Sequence, residues 1–218
     1  ENRLRGLHRR FEVVPGAQAQ VDWGDEGDLL AHVGIGAVYS FHMTLSHSRD
    51  SFTCFTTSMD LATFWDCHRR AFAHFGGVPQ TLVIDNLKAA VTEADWYDPE
   101  LNPKLRAFAA HYGVAILPTR PRTPRHKGKV ERGVGYVQSN ALQGRSFTTL
   151  AAQNEHLLAW ETNVADCRIH GTTRKQVGLL FREIEQPTLR PLPAERFPLF
   201  REARRMVHRD GHVSVEQA

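Results

Sequence analysis

Three carboxylates of this 218-residue chain stand where a divalent cation could be gathered: Asp22, Asp85 and Glu131. Asp22 lies near the end of an alternating segment, Asp85 ends the apolar run TLVI, and Glu131 opens a stretch in which Val130, Val134 and Val137 recur at helical spacing. Catalytic groups in open α/β sheets gather outside strand C-termini. Carboxylates converging there repel one another unless cations hold them. Oxygen-only ligands select Mg2+ or Mn2+ over zinc. Two such ions about 4 Å apart activate an attacking oxygen and stabilise the leaving one in an in-line phosphoryl displacement. Taken singly, each acid has a plainer reading. A strand-end aspartate is usually just solvated, and a first-turn glutamate is favoured by the helix dipole. The combination carries the argument.

The second feature is the run PTRPRTPRHKGKVER at residues 118–132, with six Lys or Arg, one acid, three prolines and a glycine. The whole chain has a formal net charge of only +3, so this segment alone exceeds the total. A basic stretch of this density that leads into a candidate metal ligand points to phosphate contact. The candidates are Lys88, Arg120, Arg122, Arg125, His126, Lys127, Lys129 and Arg132. Such contacts position a nucleic-acid backbone without reading its sequence. The twelve histidines show no zinc pattern, since no cysteine pair accompanies them at finger spacing.

The elements that must carry these residues follow from periodicity. Ala17, Ala19, Val21 and Trp23 alternate with Gln18, Gln20 and Asp22, which predicts a strand over 17–23. Residues 38–45 and 51–57 are β-branched or aromatic, with His47-Ser48-Arg49-Asp50 turning between them, so the opening reads as a three-stranded antiparallel meander. Asp60 caps a helix over 61–75 with Leu61, Phe64, Trp65, Phe72 and Phe75 on its stripe, and Gly76-Gly77 ends it. A buried strand follows over 81–84. Asn102 and Pro103 start a helix with Leu105, Phe108, Ala109 and Tyr112 on its buried face, closed by Gly113. Residues 114–117 form another strand. The Glu131 helix runs to about Leu142, although Gly133 and Gly135 each cost about 1 kcal/mol against alanine. A last helix over 150–168 puts Leu157, Trp160, Val164 and Cys167 on one stripe. Asp25, Glu26 and Asp28 read as exposed turn residues. Residues 206–215 read as a hairpin about Asp210-Gly211.

Composition sets the frame. With 41% hydrophobic and 23% charged residues, the chain reads as a soluble globular domain with appendages. No apolar run approaches a bilayer's thickness, and the first residues lack the core of a signal peptide. Cys54, Cys67 and Cys167 are well separated and form neither a disulfide framework nor a CxxC site. A reducing cytoplasm is the expected location.

The motifs QVDWG (20–24), FGGVP (75–79), DNLKAAV (85–91) and HKGKVER (126–132) resemble the catalytic core of the DDE transposases and retroviral integrases. More narrowly they resemble the IstA-type bacterial insertion-sequence transposases, as do HGTTRKQ (170–176) and PLPAERF (191–197). The resemblance runs from about Pro15 to about Phe200. It implies an α/β, RNase H-like fold: a mixed five-stranded sheet, three antiparallel strands first, flanked by helices. It implies that Asp22, Asp85 and Glu131 form the catalytic, metal-holding triad, with two Mg2+ or Mn2+ ions. It further implies nicking at element ends to free 3′-hydroxyls that attack target DNA, a homo-oligomer assembled on DNA, and an AAA+ ATPase helper. The expected division is a linker over 1–15, a core over 16–170, a linker over 171–200, and the start of a small C-terminal β-domain over 201–218. Two departures stand out. The Asp85-to-Glu131 spacing exceeds the generic pattern, so residues 89–103 look like an insertion, and two glycines lie in the catalytic helix. An RNase H-fold nuclease that only hydrolyses, or a non-catalytic DNA-binding piece, stays open on the residues alone.

Overall fold

Strand β1 (Gln18–Asp25) is the middle of a five-stranded sheet ordered β3-β2-β1-β4-β5. The computed structural model describes residues 13–84, 103–118, 130–198 and 212, and of Pro103, Pro118 and Glu131 only the backbone. β2 (Tyr39–Leu45) runs antiparallel to β1, and β3 (Ser51–Thr56) antiparallel to β2. β4 (Thr81–Ile84) and β5 (Ala115–Pro118) are parallel to β1. Parallel neighbours need a crossover, and between β3 and β4 the chain supplies α1 (Leu61–Phe75). Asp60 caps it by accepting the Thr63 N–H at 2.8 Å, and Gly76 ends it in the left-handed region at φ +68°. Only glycine takes that φ without strain. α2 (Pro103–Tyr112) precedes β5. The mixed sheet with its antiparallel opening is the one expected, with β1 extending to Asp25.

Side-chain alternation gives the sheet two unlike faces. Ala19, Val21, Phe41, Met43, Phe52, Cys54, Leu82 and Ile84 meet the buried stripe of α1 and the inner side of α2. This layer is aromatic. Phe108 is wholly buried, stacks on Trp65 with centroids 4.4 Å apart, and meets Phe197 edge-on at 5.4 Å. Cys54 and Cys67, distant in sequence, meet here as free buried thiols with sulfurs 3.6 Å apart.

The opposite face carries Gln20, Asp22, Ser40, His42, Thr44 and Thr53. It is covered by α3 (Val130–Tyr136), which widens into a π-helical turn over Val137–Leu142, and by α4 (Leu150–Trp160), which widens likewise over Glu161–Ala165. A smaller apolar cluster seals this side: Leu30, Val38, Phe55, Val137, Ala141, Leu157, Trp160 and Ala165. Asn154 of α4 clasps the edge strand β3, accepting the Phe55 N–H at 2.7 Å and donating to the Phe55 carbonyl at 2.9 Å. That covers an edge otherwise open to pairing.

Two expectations change. The stripe expected over 150–168 shifts after Trp160: Val164 and Cys167 are exposed, while Glu161 and Ala165 are buried. The π-helical turn adds a residue to each repeat and so rotates the later positions. Of residues 171–200, read as linker, the described part (171–198) returns to the core. α5 (Val177–Leu180) and its π-helical continuation Phe181–Glu185 bring in Phe181, and Leu189 and Phe197 follow. Arg190 bridges Val78 through paired backbone hydrogen bonds of 2.9 Å. Gly77 permits this, because a Cβ there would lie 2.6 Å from Leu189 Cβ and 2.9 Å from the Arg190 carbonyl oxygen. The buried Glu185 carboxylate accepts backbone N–H groups of Gly16, His47 and Ser48. The prolines break helical periodicity without preventing packing. Of the expected hairpin over 206–215 only His212 is described. Among the described residues no helix is long and apolar enough to cross a membrane.

Candidate active site

Two strand registers and one side-chain hydrogen bond define the site. Antiparallel pairing sets Asp22 opposite His42. Parallel pairing sets Val21 opposite Ile84, the last residue of β4. Asp22 follows Val21 in β1. Asp85 follows Ile84 in the chain and lies outside the described residues. Gln20, two positions before Asp22, shares its face. Its Oε1 accepts the Val130 N–H at 3.2 Å. That N–H is one of the orphan donors at a helix start, so Gln20 pins the first turn of α3 onto the Asp22 face of β1. Glu131 occupies the second position of that turn, described through its backbone.

Asp22 itself is half-buried, and its Oδ1 accepts the Trp23 N–H at 3.1 Å. The Trp23 ring packs edge-on against Phe41 at 5.2 Å, which fixes the strand end to the aromatic layer. The glycine of the D-W-G sequence has a local cause. A Cβ on Gly24 would fall 2.6 Å from Ser40 Oγ and 3.0 Å from Glu26 Oε1, the two atoms joined by a 2.6 Å hydrogen bond. Glu26, expected to be an exposed turn residue, is therefore half-buried beside the site, and Gln138 reaches its other oxygen at 3.5 Å. Asp25 and Asp28 are exposed as expected. The α3 glycines are accommodated without crowding: a Cβ on Gly133 would touch Thr44 Oγ1 at an ordinary 3.5 Å, and one on Gly135 would meet open space.

Sequence reasoning missed His42. It is 3% exposed, its Nδ1 lies 3.2 Å from Thr53 Oγ1, and its Nε2 is buried without a hydrogen-bond partner. Burial pushes its pKa down to about 4, so the ring is neutral at pH 7. Farther along this face the Glu161 carboxyl is 1% exposed. Burial pushes its pKa well above the carboxylate range, against the pull of Thr53. A neutral ring and a carboxyl whose ionisation burial opposes therefore flank Thr53. The only signal for His42 was its inward parity on β2; its place opposite Asp22 comes from register.

Of the expected phosphate contacts, Arg132 is described and is exposed on α3. Lys88, Arg120, Arg122, Arg125, His126, Lys127 and Lys129 lie outside the described residues. Among the described residues no three His, Cys, Asp or Glu side chains gather closely enough to hold a metal ion, and Asp22 is the one triad side chain among them. Its carboxylate, on a part-open strand end, is the hard oxygen donor that Mg2+ or Mn2+ takes.

Comparison with known proteins agrees with this geometry. The family model described as "Integrase core domain" matches residues 15–124. A Mycobacterium tuberculosis protein with a provisional transposase name is 35% identical over 212 residues, covering 96% of this chain and 52% of its own. The transposase for insertion sequence element IS21 of Pseudomonas aeruginosa is 32% identical over 208 residues, covering 95% of this chain and 53% of its own. The chain thus spans about half the length of these relatives. The fold is also that of solved integrases. A chain of the simian T-cell lymphotropic virus intasome superposes with a TM-score of 0.56 at 16% identity, covering 90% of this chain and 63% of that one. The HTLV-2 integrase catalytic core domain in complex with magnesium gives 0.54 at 14% identity, covering 80% and 99%. With half of its length matched by that family model and a five-stranded RNase H-like sheet beneath, the chain belongs to the integrase core domain family, within the DDE transposase and integrase superfamily.

Proposed function

We propose that this chain is the catalytic domain of an IstA-type DDE transposase, cutting 3′ ends of a mobile element and joining them to target DNA. The observation that carries this reading is the convergence of β1, β4 and α3. Val21 pairs with Ile84 one residue before both aspartates, while Gln20 holds the N–H of Val130 one residue before Glu131. Consecutive Cα atoms are about 3.8 Å apart, so three positions distant in sequence are each one residue from a fixed backbone point in the same part of the sheet. Asp22, Asp85 and Glu131 would hold two Mg2+ or Mn2+ ions, which supply Lewis-acid stabilisation of the phosphoryl oxygens and lower the pKa of the attacking hydroxyl. The chain's own part is positional. Gln20 aligns the catalytic helix, Trp23 anchors the strand end, and the covering helices limit access to the face.

Phosphate contacts from Lys88, Arg120, Arg122, Arg125, His126, Lys127, Lys129 and Arg132 would seat the DNA backbone along the entry to α3. Assembly as a homo-oligomer on DNA, an AAA+ ATPase helper and a cytoplasmic setting belong to the same proposal. So does the division into a catalytic core with flanking segments over 1–15 and 201–218.

The test uses the full-length transposase with labelled element-end DNA and a target duplex in Mg2+. Joined products are expected from the natural chain. Asp22→Asn, Asp85→Asn and Glu131→Gln should each remove them while DNA binding persists. Cleavage without joining at any donor concentration would show a nuclease instead.

A further inference from the structure

A second charged feature surrounds α3. Arg132 and Tyr136 are one turn apart and share a helix face. The Arg168 guanidinium carbon lies 4.0 Å from the Tyr136 ring centroid, so the segment after α4 packs against that face. Two residues on, His170 begins a tight loop closed by the hydrogen bonds Arg174 N–H to His170 O (2.8 Å) and His170 N–H to Lys175 O (2.9 Å). Arg49 arrives from the β2–β3 turn, held at φ +73°, and its neighbour Asp50 is hydrogen-bonded to Asp166, two residues before Arg168. Burial and the charges of Arg168, Arg49 and Arg132 all hold the His170 pKa below its ordinary value, so these cations share one neighbourhood.

The positive charge there is balanced only in part: Asp166, whose carboxyl burial pushes up and Arg182 and Arg168 pull down, is the acid that faces Arg168. Among the described residues neither Arg132 nor Arg168 makes a salt bridge. The nearby Asp50 carboxyl is pushed well above its ordinary pKa by burial and by Asp166. Like charges gathered in this way cost stability unless an anion sits among them. Guanidinium forks match phosphate oxygens two at a time.

We infer that Arg49, Arg132, Arg168 and His170 form a phosphate-binding patch that grips a DNA backbone alongside α3. The patch rests on the reading of this chain as one that acts on DNA. It joins three segments far apart in sequence, and none but Arg132 belongs to the basic run. Arg174 and Lys175, exposed on the 170–175 loop, extend the same surface. Because guanidinium groups of this kind match phosphate oxygens, which carry no sequence information, the patch holds DNA of any sequence.

The test is fluorescence anisotropy of the full chain with two labelled duplexes of unrelated sequence, across a salt series. The double variant Arg132→Gln/His170→Gln should bind both duplexes more weakly. Its plot of log affinity against log salt should be shallower by about 1, since each charged phosphate contact contributes about 0.9 and His170, held neutral, supplies a hydrogen bond without a charge. Should the double variant fold poorly by circular dichroism, Arg132→Glu replaces it, because that side chain is exposed, and the same change is expected. An unchanged slope in a folded variant, with the natural chain binding normally, overturns the patch and leaves the transposase reading standing. Weakening on one duplex alone also overturns the patch. Failure of the natural chain to bind either duplex at low salt overturns both.

Discussion

One face of the sheet is filled with rings and the other with hydrogen-bonding groups, and the two are held by different physics. Against α1 and α2 the contacts are Phe41, Phe64, Phe72, Phe75 and Phe108, each ring meeting others without a directional bond. Against α3 and α4 a smaller apolar cluster is joined by two directional pairs, Gln20 to Val130 and Asn154 to Phe55, and within the sheet His42 faces Thr53 across β2 and β3. An aromatic layer supplies stability through buried area. A directional layer supplies placement, because a buried polar group without its partner is expensive. In this fold the reacting face is built from the second kind and braced by the first.

The sharpest break in that contrast comes from Asp22→Asn. It keeps the shape of the strand end and removes a charge, so element-end cleavage by the full-length protein should fall to background with the urea midpoint nearly unmoved. Loss of folding instead would mean that Asp22 serves the scaffold. Phe108→Ala is the mirror case. It empties a site surrounded by Trp65, Phe72, Tyr112 and Phe197, and should cost about 3–5 kcal/mol in urea unfolding. Cleavage by the molecules that remain folded should persist.

The faces also differ in how acidity acts on them. On the aromatic face His68 is enclosed by Phe41, Phe64, Phe72 and Phe108, and burial pushes its pKa down to about 4 against a raising bond to the Phe64 carbonyl. The unfolded chain takes up that proton first, so stability is lost as pH falls from about 6.5 toward 4, by roughly 3 kcal/mol in all. His42 adds the same sign. His68→Leu should therefore flatten the unfolding midpoint between pH 7.5 and 5. Glu161 acts in the opposite sense. Its folded pKa is raised, so the unfolded state loses the proton first, and stability is lost as pH rises above the ordinary 4.5. Glu161→Gln should gain on the natural chain at pH 8 relative to pH 5, and an equal difference at both would show that the carboxyl is charged in the fold.

What could be read in advance was local. The α1 boundaries were legible because Asp60 and Gly76 are caps whose action spans a few residues. The parity of β1, with Val21 inward and Asp22 outward, was legible because a strand repeats every two residues. Asp22 stood out through its sequence context. The misses all depend on register or on the third dimension. Nothing in Tyr39–Leu45 says which residue will sit opposite Asp22, so His42 went unnoticed. A π-helical turn exchanges Val164 for Ala165 without a sequence mark. Cys54 and Cys67 meet because β3 and α1 pack, not because of their spacing. The prolines after His170 announced a break in periodicity and concealed a segment whose Phe181 and Phe197 complete the core.

The smallest expected effect tests the most specific link. Gln20→Ala leaves the Val130 N–H, buried with its residue at 1% exposure, without its acceptor. An orphaned buried donor costs about 1–3 kcal/mol, and fraying of the first turn of α3 into water would hold the global loss to about 1 kcal/mol. The consequence for placement should be larger than the consequence for stability. Amide exchange over residues 130–134 should quicken while exchange in α1 stays unchanged, and cleavage should fall further than the unfolding midpoint would suggest. Gln20→Glu, which restores an acceptor oxygen of the same reach, should recover the slow exchange. If both variants exchange as the natural chain does, α3 is held by its apolar contacts through Val137 and Ala141, and the directional layer has less authority over the reacting face than its hydrogen bonds imply.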